Sequence, residues 1–255
     1  MEEDHSECIK NLTPEELEER LREKGEPSYR AGQIFEWLYV NNAVSFENMT
    51  NISKRLRAEL EAEFRVGAVS QGIEEKSSDG TKKLLFELHD GETIESVLIP
   101  DGRRLTLCIS SQAGCAMGCR FCLTGKRGFR RDLDSGEIVD QVVEAGRAAE
   151  PDTRITNIVV MGMGEPMCNF RQLARALDIF TSQYGMNWSP RRITVSTAGV
   201  ADRIAAFASL GTADLAVSLN AADDRTRSKI MPVNRKYPLD GLIASCREYA
   251  TRTGR

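Results

Sequence analysis

The sequence lacks the features that would place it in a membrane or outside the cell. No run of about 18 apolar residues occurs along the chain, so a transmembrane helix is not expected. Residues 1–8 are mostly acidic and polar and contain no apolar segment of the kind that a secretory signal requires. These absences predict a cytoplasmic protein that does not associate with membranes.

An excess of positive charge is also absent. The chain has 34 lysines and arginines against 38 aspartates and glutamates, which gives a formal net charge of −4. A strongly basic chain would indicate a nucleic-acid partner, and that support is missing, although a local basic patch can suffice. Basic residues do cluster at 126–131, with smaller pairs at 191–192 and 235–236. By composition alone, solvated surface charge explains these clusters equally well.

Histidine is scarce in this chain, whereas cysteine is plentiful. The two histidines are His5 and His89, and the seven cysteines are Cys8, Cys108, Cys115, Cys119, Cys122, Cys168 and Cys246. An odd number of cysteines, in a chain that is neither small nor predicted to be secreted, argues against a disulfide framework. Because four of them fall within fifteen residues, metal binding or thiol chemistry is the better interpretation.

The first part of the chain, residues 1–68, has the pattern of a small helical module. Helices are predicted over residues 13–24, 30–39 and 53–64, the first with Thr13 as its cap and Glu16 completing a capping box. Residues 69–101 change to alternation and turn signals, which predict a short antiparallel β meander with strands over 82–88 and 93–99.

Residues 102–255 alternate short apolar runs with helical stretches. This pattern predicts an α/β fold in which helices cover a parallel sheet. The strands are predicted over residues 105–110, 155–161, 192–196 and 213–219. The helices are predicted over residues 135–149, 170–184, 200–210 and 239–251. Four such βα units do not close a barrel, so we expect an open sheet with a free edge to cover.

Three cysteines are distinguished by the spacing C-x3-C-x2-C, in the loop after the first of these strands. Cys115, Cys119 and Cys122 can ligate three irons of a [4Fe–4S] cluster and leave the fourth iron open for a cofactor. Zinc is the rival interpretation, but a structural zinc site takes four ligands and both histidines are remote in sequence. The spacing, with the aromatic Phe121 before the last cysteine, resembles the radical S-adenosylmethionine (SAM) superfamily, in which the open iron binds SAM.

A Gly-Glu-Pro segment follows the next predicted strand, where α/β sheets bind ligands. Glycine allows a close backbone approach, and the carboxylate of Glu165 can bind an ammonium group. Alone, this tripeptide is usually a turn. One βα unit after the cysteine loop, it resembles the SAM-binding motif of the superfamily. The resemblance implies that Gly164, Glu165 and Phe121 contact SAM.

Small polar groups also end the two later strands, at Ser196 and at Ser218, Leu219 and Asn220. In the superfamily context these residues are candidates for holding the ribose and carboxylate of SAM. Helix capping and turn formation are the alternative interpretation of the same residues.

Longer matches make the resemblance more specific. Residues 107–125, 161–166, 195–200, 218–221 and 227–238 are similar to the radical SAM adenine-C2 methyltransferases that modify 23S rRNA and tRNA. Residues 29–38 and 49–51 resemble the accessory N-terminal domain of that family. The resemblance implies a partial (βα) barrel of four units over 102–255, preceded by a β meander or linker over 69–101 and an RNA-binding helical domain over 1–68. It also implies a [4Fe–4S] cluster and SAM as cofactors.

The chemistry of that family assigns further roles by position. One SAM methylates a cysteine, and a second SAM gives the radical that converts this methyl group into a carbon radical, which adds to adenine. Glu95 then matches the proton acceptor, and Cys108 matches the cysteine that resolves the protein–RNA link by forming a disulfide. From pattern alone, Glu95 is a solvated strand residue and Cys108 a small buried apolar one.

The implied partners are 23S rRNA, tRNA and a low-potential electron donor of the flavodoxin or ferredoxin type, with the protein a monomer. Four basic residues beside the cysteine loop are then candidates for phosphate contacts, which position RNA without identifying its sequence. They are Lys126, Arg127, Arg130 and Arg131.

The sequence departs from the family in two respects. Asn220 stands where many relatives carry histidine, and the methyl-carrying cysteine of the family lies beyond Arg255, so we expect this chain to be inactive by itself. Cys168 and Cys246 match no family role. Two other functions stay open: a radical SAM enzyme with a different substrate, and a non-catalytic RNA-binding remnant.

Overall fold

The structure is a computed structural model that describes residues 7–254, so His5 and the ends of the predicted first and last parts lie outside it. The helices are α1 (Pro14–Glu23), α2 (Tyr29–Tyr39), α3 (Lys54–Glu63), α4 (Leu123–Arg127), α5 (Ser135–Ala148), α6 (Phe170–Thr181), α7 (Ile204–Leu210), α8 (Asp224–Ile230) and α9 (Leu239–Thr253). The strands are β1 (Glu7–Cys8), β2 (Phe64–Arg65), β3 (Val69–Lys76), β4 (Lys82–Leu88), β5 (Thr93–Asp101), β6 (Arg104–Cys108), β7 (Gln112–Gly114), β8 (Phe129–Asp132), β9 (Asn157–Val160), β10 (Ile193–Thr197) and β11 (Asp214–Val217).

The front helices α1, α2 and α3 confirm the three helices predicted there. The Thr13 hydroxyl accepts a hydrogen bond from the Glu16 amide, and the Glu16 carboxylate accepts one from the Thr13 amide. This capping box satisfies two amides that the first turn of α1 leaves unpaired. Leu17 and Leu21 lie four residues apart on the same face of α1 and are fully buried. The capping box therefore fixes where α1 begins, and its apolar face fixes how it packs.

Seven strands form one sheet in the order β11-β10-β9-β6-β5-β4-β3. β6, β9, β10 and β11 run parallel, whereas β3, β4, β5 and β6 run antiparallel to one another. The helices α5, α6 and α7 connect successive parallel strands, as parallel pairing requires. The predicted α/β fold with a parallel sheet is confirmed, and β6 joins its parallel part to the predicted meander.

The division at residues 68 and 101 remains a prediction, because β3, β4 and β5 continue the same sheet as the parallel strands. On the parallel side, β11 forms the edge of the sheet, and no other strand within residues 7–254 pairs with its outer side. The helix-covered face is tightly packed, with Leu107, Ile158 and Val195 fully buried.

Several elements were not predicted individually: the strand β3 and the short elements β1, β2, α4, α8 and the β7–β8 hairpin. α8 is largely polar and has no apolar periodicity, so its pattern resembles a loop. It forms because the Asp223 carboxylate accepts a hydrogen bond from the Thr226 amide at 2.8 Å, which caps its first turn. The strand predicted over 213–219 ends at Val217, which leaves residues 218–220 in the loop before α8.

A buried ion pair fastens the helical module to the sheet domain. Lys10 and Asp140 are 1% and 0% exposed and form a hydrogen-bonded pair. Asp140 lies on α5, and its second oxygen also accepts from the amides of Ala68 and Val69. Arg175 on α6 adds a two-point contact with Glu16 on α1, at 2.6 and 2.5 Å. One carboxylate on α5 therefore holds three backbone segments together.

We expect Asp140→Ala to lower the free energy of unfolding by about 3–5 kcal/mol, because it leaves the Lys10 ammonium buried without a counter-charge. Chemical denaturation would measure this loss. As a control, Glu59→Ala removes an exposed partner of Arg55 on α3 and should cost no more than about 0.5 kcal/mol. Equal effects of the two variants would contradict the buried-pair assignment.

The described residues contain no helix long and apolar enough to cross a bilayer.

Candidate functional site

The carboxyl ends of β6, β9, β10 and β11 meet at one edge of the sheet, because these strands are parallel neighbours. Four loops converge there. They contain the three spaced cysteines, the Gly-Glu-Pro segment, residues 198–200 and residues 218–223. In α/β sheets this edge is where ligands bind. The fold therefore brings every loop singled out by sequence for cluster or SAM binding to the same edge.

The three spaced cysteines lie near one another and near Glu165. Cys115 and Cys119 are each 8% exposed, Cys122 is half-buried, and all three are free thiols. Burial raises the pKa of the Cys115 thiol, and the charges of Glu165 and Cys122 raise it further. Burial likewise raises the pKa of Cys119, with Cys115 and Cys122 adding to the shift. Thiols that raise one another's pKa in this way repel as thiolates, and a positively charged iron bound to each of them would offset that repulsion.

The cysteine loop is held from both sides. On one side, the Cys115 amide donates to the Gly128 carbonyl at 3.0 Å, at the start of β8. On the other, the Arg120 amide donates to the Ile230 carbonyl at 2.9 Å, at the end of α8. Gly114 has a φ of +76°, and a Cβ there would lie 2.0 Å from the Gly128 oxygen. Only glycine fits at position 114, and the shape of the cysteine loop depends on it.

This donor set fits a [4Fe–4S] cluster. Within residues 7–254, no three side chains of histidine, cysteine, aspartate or glutamate are grouped closely enough to hold a single metal ion. A [4Fe–4S] cluster does not need such a group, because each thiolate binds a different iron. The cluster loop is also open to incoming molecules, since Phe121 and Leu123 on either side of Cys122 are 60% and 66% exposed.

Glu165 ties two strand ends together. It is 2% exposed, and its two carboxylate oxygens accept from the amides of Ala198, at 2.6 Å, and Met167, at 3.1 Å. Burial raises the pKa of Glu165, and these hydrogen bonds oppose the shift. A carboxylate has about four acceptor positions, and the Thr197 side chain also hydrogen-bonds to Glu165, so about one position remains for a further donor. Sequence predicted an ammonium ligand here and missed the structural role.

The glycines before Glu165 are required by their protein neighbours. A Cβ on Gly162 would lie 2.7 Å from the Ser110 hydroxyl, and one on Gly164 would lie 2.6 Å from the Gln112 side chain. Gly164 also has a φ of +104°, which side-chain-bearing residues rarely adopt. The backbone at Gly162 and Gly164 therefore lies close to residues 110–112 of this chain. Its close approach to a ligand stays a prediction.

The ends of β10 and β11 place the remaining candidates side by side. The hydroxyls of Ser196 and Ser218 are 3.5 Å apart, and Leu219 is exposed. Asn220 has a φ of +56°, and its amide lies 3.2 Å from the Met231 sulfur. Asn220 thus faces α8 and the turn after it, a surrounding that the sequence did not indicate.

Glu95 and Cys108 lie on one face of the β5–β6 ladder. Cys108 pairs with Val97, and the hydroxyl of Ser110, two residues on, donates to the Glu95 carbonyl at 2.6 Å. This register places Glu95 diagonally across from Cys108, at about 7–8 Å between backbones. The Glu95 carboxylate is half-exposed, 3.7 Å from the Lys83 ammonium, and burial raises the pKa of the Cys108 thiol.

The basic candidates divide into two groups. Lys126, Arg127 and Arg130 are exposed beside the cluster loop. Arg131 instead donates from two nitrogens to the two oxygens of Glu137, at 2.7 and 2.8 Å, and from a third to Asp90. These carboxylates raise the pKa of Arg131 against its burial. The guanidinium of Arg131 is thus bound to carboxylates of this protein. Lys126, Arg127 and Arg130 are the basic side chains that face solvent.

Cys168, for which sequence gave no role, lines a cavity of 420 Å³ next to the cluster loop. Although the residue is exposed, partial burial of its thiol raises the pKa to about 11, with the charges of Glu165 and Cys115 adding to the shift. None of the seven cysteines, all of which fall within residues 7–254, forms a disulfide.

We expect Cys168 in the cluster-free chain to react with iodoacetamide at pH 8 roughly a hundredfold more slowly than an ordinary cysteine, because the thiolate is the reacting form. The rate should rise about tenfold per pH unit until pH approaches the pKa of about 11. Mass spectrometry of timed samples would measure it, with the urea-unfolded chain as control. Equal rates in the folded and unfolded chains would contradict the raised pKa.

Comparison with known proteins gives consistent matches along the chain. The family model described as the ribosomal RNA large subunit methyltransferase N-terminal domain matches residues 9–66, and that of the radical SAM superfamily matches residues 109–252. A dual-specificity RNA methyltransferase RlmN of Desulfosudis oleivorans is 47% identical, over 94% of this chain and 65% of its own length. The protein of the same name from Syntrophobacter fumaroxidans is 48% identical, over 95% of this chain and 71% of its own length.

Among solved structures, a radical SAM methyltransferase from Sphaerobacter thermophilus matches with a TM-score of 0.91 and 45% identity. The match covers 98% of this chain and 74% of that one. The chain therefore spans about two thirds to three quarters of the length of these relatives.

Proposed function

Because the chain belongs to the family of dual-specificity RNA methyltransferases RlmN, within the radical SAM superfamily, we propose that it takes part in methylating carbon 2 of an adenine in 23S rRNA and tRNA. Carbon 2 of adenine is not nucleophilic, so direct transfer of a methyl group from SAM is ruled out and a radical route is needed. The observation that carries the proposal is the placement of Cys115, Cys119 and Cys122 beside Glu165 at the carboxyl ends of the parallel strands.

In this proposal the cofactors are a [4Fe–4S] cluster and SAM, which together supply the radical when bound. Cys115, Cys119 and Cys122 hold three irons, and the exposed loop between Cys119 and Cys122 leaves room for SAM at the fourth. The remaining acceptor position of Glu165 binds the ammonium group of SAM, and Gly164 allows the backbone turn beside it. This arrangement agrees with the burial of Glu165 next to the thiols.

The remaining cofactor contacts come from the loop and the two later strands. The exposed ring of Phe121 offers an apolar surface for the adenine of SAM. The adjacent hydroxyls of Ser196 and Ser218 are placed to bind ribose hydroxyls. Leu219 and Asn220 complete the same rim and contact the rest of the cofactor.

Glu95 and Cys108 act on the RNA side of the reaction. Glu95 accepts the proton from carbon 2, and its carboxylate lies 3.7 Å from the Lys83 ammonium. Cys108 resolves the protein–RNA link by forming a disulfide with the methyl-carrying cysteine of the family. Because burial raises the pKa of Cys108, its thiol stays protonated at neutral pH until that step. That Glu95 and Cys108 share one face of the sheet supports a role for both at one substrate.

The RNA itself is held by two surfaces. The helical module of residues 1–68 is the first, in line with the match to a ribosomal RNA methyltransferase N-terminal domain. The exposed Lys126, Arg127 and Arg130 are the second, and they contact phosphates beside the cluster loop. Arg131 supports this surface by fixing the β8 strand to α5.

The reaction needs one electron from outside the chain, so a low-potential donor of the flavodoxin or ferredoxin type is a further partner. We place the protein in the cytoplasm, where tRNA and rRNA are found and where seven free cysteines stay reduced. We propose that it acts as a monomer.

The test is direct detection of the product. The protein purified from its own cells is incubated with tRNA, SAM and a reduced flavodoxin, and the RNA is digested to nucleosides for mass spectrometry. The methyl-carrying cysteine of the family lies beyond Arg255, so we expect 2-methyladenosine only from protein that includes it, and none when the reductant is omitted. Methylation at another atom, or methylation that is independent of the reductant, would rule the proposal out in favour of another SAM-dependent reaction.

A further inference from the structure

Arg227 on α8 is a fully buried arginine, at 0% exposure, whose four hydrogen-bond acceptors are all neutral oxygens. Its guanidinium forms no ion pair within residues 7–254. A buried charge is costly unless an opposite charge or a metal site balances it. An anion that is not among the hydrogen-bond partners of Arg227 is therefore needed to balance the charge of its guanidinium.

Arg227 connects the two loops that carry the proposed SAM contacts. One terminal nitrogen donates to the Ala198 carbonyl at 2.6 Å and to the Ser218 carbonyl at 3.2 Å, and Nε donates to the Leu219 carbonyl at 3.0 Å. Ala198 follows β10, whereas Ser218 and Leu219 follow β11. A single planar guanidinium thus fixes the spacing of the two strand ends.

Arg227 also faces the cysteine loop. One turn further along α8, the Ile230 carbonyl accepts from the Arg120 amide, between Cys119 and Cys122. Burial lowers the pKa of Arg227, and the charges of Asp224 and Cys119 oppose that shift. Asp224 is exposed to solvent and screened, whereas Cys119 is buried. The buried negative charge that acts on Arg227 is therefore the one on the cysteine ligands.

Gly199 makes room for the guanidinium. A Cβ at this position would lie 2.9 Å from a terminal nitrogen of Arg227. Asn234 holds the other terminal nitrogen, accepting from it at 2.8 Å, and donates in turn to Asp224 at 2.8 Å. Gly199 and Asn234 thus hold the guanidinium from two sides. Its positive charge therefore has a fixed position relative to the cysteine loop.

We propose that Arg227 is a positioning residue whose buried positive charge is balanced by the anionic iron–sulfur cluster and eases its reduction. The inference rests on the proposed function, because it requires the cluster. Three thiolates outnumber the positive charges of an oxidised [4Fe–4S] core, and reduction adds one more negative charge. A fixed cation nearby stabilises the reduced form and makes the reduction potential less negative.

The test compares reduction potentials in the anaerobically reconstituted 255-residue chain, measured by redox titration followed by EPR. We expect Arg227→Gln to shift the potential to more negative values. Arg227→Lys keeps the charge and should stay close to the unmodified chain. Arg175→Gln is the matched control, since it removes an arginine whose partners lie on α1, on α5 and before α1, and it should leave the potential unchanged.

A second variant keeps the test decisive if Arg227→Gln does not fold or load iron. Asn234→Asp sets a carboxylate against the terminal nitrogen of Arg227 that Asn234 accepts from at 2.8 Å, and neutralising the guanidinium in this way should make the potential more negative. An unchanged or less negative potential in Asn234→Asp would overturn the inference, as would equal shifts in Arg227→Gln and Arg227→Lys. If the unmodified chain forms no cluster, the proposed function and this inference both fail. If the cluster forms but its reduction potential does not change when Arg227 is replaced, this inference fails and the proposed function is unaffected.

Discussion

Replacing Cys115 with alanine is expected to abolish loading of the [4Fe–4S] cluster while leaving RNA affinity within a few-fold of the unmodified chain. The cluster depends on three thiolates from one short loop, and two ligands cannot hold it in place of three. The RNA contacts are proposed for the helical module and for Lys126, Arg127 and Arg130, whereas the groups that act on the Cys115 thiol are Met117, Glu165 and Cys122. The two functions should therefore separate.

The measurement is iron content with the EPR spectrum of the reduced chain, before and after SAM is added. In the unmodified chain we expect a [4Fe–4S]⁺ signal that SAM shifts, which reports an open iron. Cys246→Ala is the matched control, because Cys246 is a half-buried packing residue on α9, and it should load iron normally. A normal cluster in Cys115→Ala would contradict the ligand assignment. Equal loss of cluster and RNA binding would contradict separate roles.

Replacing Glu165 with alanine is expected to remove the effect of SAM on the EPR spectrum and to lower the free energy of unfolding by about 3 kcal/mol. The stability loss arises because the amides of Ala198 and Met167 are left buried without acceptors, at about 1–3 kcal/mol each. The loss of SAM binding arises because the carboxylate proposed to hold its ammonium group is gone.

A second variant separates these two effects. Asn169 is equally buried, and its amide donates to the carbonyls of Ser111 and Leu133 at 2.8 and 2.7 Å, close to the same loop. Asn169→Ala should cost a comparable amount of stability, measured by denaturation, yet keep the SAM-dependent spectral shift. If both variants lose that shift equally, Glu165 acts through loop structure alone and the ammonium contact is wrong.

Local signals in the sequence were sufficient for most elements. The helix at Pro14–Glu23 was predicted from its capping residues, and the parallel strands from short apolar runs separated by helical stretches. These signals act over a few residues, so they survive without knowledge of the fold. α8 and the β7–β8 hairpin escaped prediction because they are polar and short, and their stability comes from contacts with distant parts of the chain.

The sequence by itself determined the chemistry of this protein. The spacing of Cys115, Cys119 and Cys122 and the Gly-Glu-Pro segment predict a radical SAM site by their resemblance to that superfamily, because thiolate number and spacing limit which metal centres a loop can hold. They did so with no information on packing, and the family comparisons agree.

Only the tertiary structure decided how the site is held. Sequence gave no reason for the contact between a buried arginine at 227 and the Ala198 carbonyl, for the Ala198 amide bound by Glu165, or for the Lys10–Asp140 pair beneath the helical module. These contacts join residues that are 29, 33 and 130 positions apart. Burial and electrostatic balance depend on which distant segments meet, and a linear pattern does not record that.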